Sequence, residues 1–147
     1  MRIMALDVGD RSIGVAVSDP LMVAARGIDT IERVGIRKDA GKVIALIDEY
    51  ECGTVVVGLP VRLDGSNSPQ TDKAIEFKTM LENKLRSSGR QGVSVTLHDE
   101  RFTSVIAERV LIEADVSRKK RKAVIDMQAA VVILQSYLDT LAQQRET

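Results

Sequence analysis

The run "TVVVGLP" (Thr54 to Pro60) admits few folds. Its apolar residues are continuous rather than alternating, and it is too short for an ordinary helix. A strand of this kind is buried on both faces, so it belongs in the middle of a sheet covered by helices on each side. The flanking sequence supplies the rest of that sheet. "RIMALDV" and "SIGVAVSD", separated by "GDR", read as a hairpin, and the weaker "RGIDTIE" continues the meander. A helix is predicted from about Asp39 to Tyr50, with Val43, Ile44 and Ile47 facing inward.

After the central strand, "VRLDGSNSPQ" is an irregular loop rich in Gly, Ser and Asn, placed to close over a ligand from Val61 to Gln70. A helix with Ala74, Phe77, Leu81 and Leu85 on one stripe follows and ends near Ser88 and Gly89. "VSVTLH" alternates as a fifth strand, and helices are expected from about Ser104 to Ala114 and along the C-terminal segment. Three strands, helix, strand, helix, strand, then helices describe an α/β domain spanning residues 1–147. Its mixed five-stranded sheet joins a three-strand antiparallel meander to two parallel strands. That order is the one found in the ribonuclease H-like fold.

Composition removes several kinds of chemistry. A single histidine, His98, excludes zinc sites built on several histidines, and neither a Gly-x-Ser-x-Gly elbow nor a Walker phosphate loop is present. The lone Cys52 begins an apolar strand and reads as a small buried hydrophobe. No apolar stretch approaches a membrane span, and the first residues lack the features of a signal peptide, so a cytoplasmic location is expected. Net charge is zero, yet Arg118 to Lys122 are five consecutive cations. With two Phe, two Tyr and no Trp, a nucleic-acid partner would be held mostly through its phosphates.

Three acids stand out. Asp7 ends the first strand, where alone it would read as a turn residue, as Asp19 does before Pro20. Asp99 and Glu100 end the fifth strand, and alternation allows only one of them to face a given site. Asp126 shares helical spacing with Ala129, Ala130, Ile133 and Tyr137, so it is either a helix N-cap or a carboxylate on an apolar face. Strand ends and a helix packed on the sheet are places that a fold can bring together. Converging carboxylates repel one another unless a cation lies between them, and Mg²⁺ or Mn²⁺ suits an all-oxygen site. Strand five lies two strand spacings from strand one, roughly 10 Å, so Glu100 must lean inward to meet Asp7.

These segments resemble the YqgF/RuvX family, whose successive motifs match "ALDVGDRSIGVAVSD", "VVVGLPVRLDGSNSPQ", "DERFTS" and "DMQAAVVILQ" nearly end to end. The resemblance places the family's acidic positions on Asp7, Glu100 and Asp126, its Gly-Leu-Pro on Gly58 to Pro60, and its Asp-Gly-Ser loop on Asp64 to Ser66. Ser104 stands where the family often has threonine. The resemblance implies a metal-dependent nuclease with Asp7, Glu100 and Asp126 as catalytic residues and metal ligands. Arg11, Arg101, Lys119 and Lys122 are the candidate phosphate contacts.

The family is described both as maturing the 5′ end of 16S ribosomal RNA and as resolving Holliday junctions. Pre-16S rRNA, or the small-subunit precursor that carries it, is the expected partner, and branched DNA is the alternative. The chain would act as a monomer or a homodimer, and an RNA-binding assembly factor without turnover is a third reading. "DVGDRSIG" also resembles the first phosphate loop of actin-like and sugar-kinase ATPases, but those use two such halves and this length holds one.

Overall fold

A computed structural model describes residues 1–102 and 118–146, with side chains described for 1–101 and 127–144. In chain order the elements are β1 (Arg2–Val8), β2 (Ser12–Ser18), β3 (Ala25–Glu32), α1 (Ile36–Tyr50), β4 (Cys52–Leu59), α2 (Pro69–Ser87), β5 (Ser94–Asp99), a 3-10 turn (Glu100–Phe102) and α3 (Arg118–Glu146). The sheet order is β3-β2-β1-β4-β5. β1, β2 and β3 form the antiparallel meander, and β1, β4 and β5 run parallel. This is the mixed sheet expected from the sequence, with "TVVVGLP" in β4. The expected helix from Ser104 to Ala114 lies outside the described residues.

The period of two along each strand divides the core into two faces. Met4, Leu6 and Val8 of β1, with Val55 and Val57 of β4, pack on α1 and α2 through Val43, Ile47, Phe77 and Leu81. Ile3, Ala5, Ala16 and Val56 point the other way, against Ala129, Ala130, Ile133, Leu134 and Leu138 of α3. That second face is lined by small residues, so the helix comes close. A methyl group on Gly27 would stand 2.4 Å from Met127 Cγ.

Helix α1 starts at Ile36, a turn earlier than the apolar spacing alone predicts. The reason is Asp39, whose carboxylate accepts hydrogen bonds from the Val34 amide (3.0 Å) and from Arg33 Nε (3.1 Å). These bonds fold the preceding residues onto the helix end. Cys52 is buried at the start of β4, and burial pushes its thiol up to about 11, which makes it a poor nucleophile. No helix among the described residues is long and apolar enough to cross a membrane.

Candidate active site

The parallel strands β1, β4 and β5 all end at one edge of the sheet, and two of the acids singled out in the sequence, Asp7 and Glu100, lie at that edge. Asp7 is the penultimate residue of β1 and is 9% exposed. It lies on the face of Ile3 and Ala5, the face that α3 covers. Across the antiparallel ladder its partner is Gly14 of β2. On the other side the β1–β4 ladder pairs Leu6 with Val57, so the next residue along β4 at this level is Gly58. Asp7 is therefore flanked on both neighbouring strands by residues without side chains, which leaves space over its carboxylate.

Glu100 uses that space. β5 pairs His98 with Gly58, and Glu100 follows in the 3-10 turn after the strand. Its side chain folds back over β4, so that a methyl group on Gly58 would stand 3.3 Å from the Glu100 carboxyl carbon and 2.6 Å from Ile133 Cδ1. Glu100 thus reaches across β4 in the direction of β1 because the intervening residue is glycine. Sequence periodicity had no means of showing this. The only signal was the Gly that interrupts the apolar run of β4.

Asp99 has a different task. It points to the opposite face from Glu100 and is held by Arg101, whose Nη2 and Nε donate to Oδ2 at 2.7 and 2.9 Å. The Arg101 guanidinium beside it keeps the Asp99 carboxyl below the usual carboxylate range. The choice between the two acids, open in the sequence, falls to Glu100. Arg101 also donates from Nη1 to the Leu63 carbonyl at 3.5 Å, tying the β4–α2 loop to the end of β5.

Asp126 lies on α3, which begins at Arg118, so Asp126 is two turns inside the helix and is not its N-cap. It precedes Ala130 by four residues and Ile133 by seven, the register of the stripe that packs on the sheet. The side chains of Asp126, Lys119 and Lys122 lie outside the described residues. Among the described residues no three metal-binding side chains cluster; Asp7 and Glu100 are two members of the expected set. Arg11 is exposed in the β1–β2 turn, at the same end of the sheet as Asp7.

Among the described residues, His98 pairs with a hydroxyl rather than with a carboxylate. Its Nε2 lies 2.9 Å from Ser136 Oγ, and its ring meets Tyr137 edge-on at 5.7 Å. Burial lowers its proton affinity, as expected for a histidine packed between sheet and helix. Asp19 is the turn residue expected, accepting from the Val23 amide at 2.8 Å.

A family model described as RuvX, Holliday junction resolvase, matches residues 1–140. A candidate pre-16S rRNA nuclease from Listeria innocua is 51% identical over 142 residues, covering 95% of this chain and 99% of the relative. One from Clostridioides difficile is 50% identical over 138 residues, covering 94% of each chain. Among solved structures, Thermus thermophilus RuvC in complex with a Holliday junction substrate superposes with a TM-score of 0.58 at 10% identity, covering 97% of this chain and 96% of that one. The fowlpox virus Holliday junction resolvase gives 0.56 at 15% identity, covering 96% and 99%. The fold is that of these ribonuclease H-like resolvases.

Proposed function

The chain belongs to the RuvX family, and from that premise we propose that it is a nuclease, hydrolysing phosphodiester bonds of pre-16S ribosomal RNA near the 5′ end of the mature sequence. The observation that carries this reading is the approach of Glu100 over Gly58 toward the level of Asp7. Two carboxylates are brought to one edge of the sheet, on the face covered by the helix that bears a third. The substrate class follows the names of relatives that share half of this sequence along almost its full length.

The donor set fits a divalent cation, since it is all carboxylate oxygen and one member is nearly buried in the sheet. Asp7, Glu100 and Asp126 are the residues that would hold it, and Mg²⁺ or Mn²⁺ matches such donors. When bound, an ion of this kind acts as a Lewis acid that makes water a better nucleophile and stabilises the leaving oxygen. The chain's own contribution is positional. Asp7 is paired with Gly14 in the β1–β2 ladder, next to Leu6 in the β1–β4 ladder, so its carboxylate cannot drift with a loop. Glu100 is held in place by the short turn and by the lack of a side chain at Gly58. Arg11, Arg101, Lys119 and Lys122 bind the phosphate backbone, so affinity falls steeply as salt rises. The protein works in the cytoplasm, on RNA free or within the small-subunit precursor.

A second reading has its own support. The family model is described by Holliday junction resolution, which makes branched DNA the competing substrate. A labelled 16S precursor leader and a mobile four-way junction, each incubated with Mg²⁺ or Mn²⁺, separate the two, with Asp126→Asn as control. Leader cleavage that the variant loses is the expected outcome. Paired symmetrical nicks in the junction, with the leader intact, would transfer the assignment to resolution. If neither is cut while the leader is bound, the chain is a binding factor.

A further inference from the structure

The loop between β4 and α2 presents an apolar side chain at its tip: Leu63 is 92% exposed, the highest of the large apolar residues described. The loop around it is firmly built. The Arg62 amide donates to the Ser66 carbonyl (3.0 Å) and the Gly65 amide to the Arg62 carbonyl (2.8 Å). The Asp64 carboxylate accepts from the Ser66 amide and hydroxyl, and Arg62 Nη1 donates to the Asn67 carbonyl at 2.6 Å. Gly65 supplies the left-handed backbone, φ +88°, that closes the turn. At the base, Val61 pairs with Asn67, and the Thr71 hydroxyl donates to the Pro60 carbonyl. The sequence predicts a segment that closes over substrate; the structure shows one already held in shape.

The same loop is coupled to the acidic site. Arg101 follows Glu100, donates to the Leu63 carbonyl, and packs over Gly65 with Nη1 3.2 Å from where a methyl group would stand. Leu21 and Val23 are also exposed, but they sit in the β2–β3 connection at the other end of the sheet. Val34 leads into α1, where its amide is bound by Asp39 on the opposite face. Among the described residues, Leu63 alone combines exposure with attachment to the turn that carries Glu100.

We propose that Leu63 is a wedge that inserts between two bases of the RNA where a paired segment meets an unpaired one, fixing the scissile phosphate relative to the end of the duplex. This rests on the nuclease reading above and names what the site selects, which is a structural border rather than a base sequence. An apolar side chain between base steps offsets their unstacking by its own burial. It can do so only if its backbone is held, because a loose loop would lose that gain in ordering itself. Arg62 adjoins Leu63 in the chain and Arg101 packs over Gly65, and these two cations would take the flanking phosphates.

The test uses an RNA hairpin with a 5′ single-stranded extension and 2-aminopurine at the last paired position. Fluorescence is read in EDTA, and cleavage of the same RNA, and of a fully unpaired RNA, is read with Mg²⁺. Wild type should raise the fluorescence, and Leu63→Ser, an exposed position that does not alter folding, should bind without the rise. The variant should cut the hairpin about tenfold more slowly and the unpaired RNA at the wild-type rate, and Leu63→Met should restore both signals. An equal fluorescence rise with Leu63→Ser, or an equal loss on both RNAs, overturns the wedge. Wild type that cuts both RNAs without a fluorescence change overturns the wedge alone; wild type that neither binds nor cuts either RNA removes the nuclease reading and the wedge with it.

Discussion

Asp39 and Asp7 stand near the same edge of the sheet, on opposite sides of it, and both are nearly or fully buried. Around Asp39 everything is arranged to satisfy the charge. The Val34 amide and Arg33 bind its two oxygens, and Arg33 also donates to the Gly9 carbonyl at 2.9 Å and lies 5.7 Å over the Phe77 ring. Burial works against the charged form, but those donors outweigh it and hold the carboxyl below its ordinary range. Around Asp7 the neighbouring strands carry Gly14 and Gly58, and the Glu100 carboxylate lies over Gly58. One aspartate is a fastener between β3, α1 and the first turn. The other lies between glycine positions on the face that Glu100 approaches, a setting of carboxylate oxygens that suits a cation.

The contrast can be broken at its strongest point by exchanging each aspartate for asparagine. Asp7→Asn should lower RNA cleavage about a thousandfold, the scale on which a metal-binding carboxylate acts. The melting temperature in EDTA should stay level, because asparagine keeps the shape of the side chain and the strand pairing of residue 7. A melting temperature several degrees lower would mean that Asp7 is structural, as Asp39 is.

Gly58→Ala probes the open space itself. The added methyl group meets Ile133 Cδ1 and the Glu100 carboxyl carbon, and both are movable side-chain ends. The expected result is a fold destabilised by about 1–3 kcal/mol from overpacking. Cleavage should fall by about ten- to a hundredfold from a displaced Glu100. Unchanged kinetics would show that Glu100 reaches the site by another path.

The smallest effect belongs to the fastener. Asp39→Asn should cost about 2 kcal/mol at neutral pH, the worth of a charge-assisted hydrogen bond, with cleavage per folded molecule little altered. Because the folded-state proton affinity of Asp39 is lowered, its contribution is complete above the unfolded value, about pH 4. It is then lost as pH falls through the lower folded value. Denaturant midpoints of wild type and variant should therefore converge only in strong acid. Convergence already at pH 6 would contradict the assignment.

Much of this molecule was legible in the chain. The unbroken apolar run of β4, the alternating strands and the helical stripes of α1 and α2 are local patterns, and local patterns set which face of an element is buried. They were enough for the sheet, its mixed sense and the helices on its two sides. Asp7 and Glu100 were found as acids at strand ends, and Asp126 as an acid in register with the apolar stripe of α3. Leu63 and the Arg33–Asp39 pair escaped notice, since an exposed leucine and a helix-end aspartate look ordinary in sequence.

What the sequence determined by itself was therefore the order and sidedness of the elements, because these follow from the period of each backbone and the drive to bury apolar side chains. Only the tertiary structure decided that Glu100 rather than Asp99 approaches the level of Asp7. That outcome depends on a glycine two strands away from Asp7's other glycine neighbour, and on an arginine that claims Asp99. Such choices are made by space and charge between residues distant along the chain, and no local period records them.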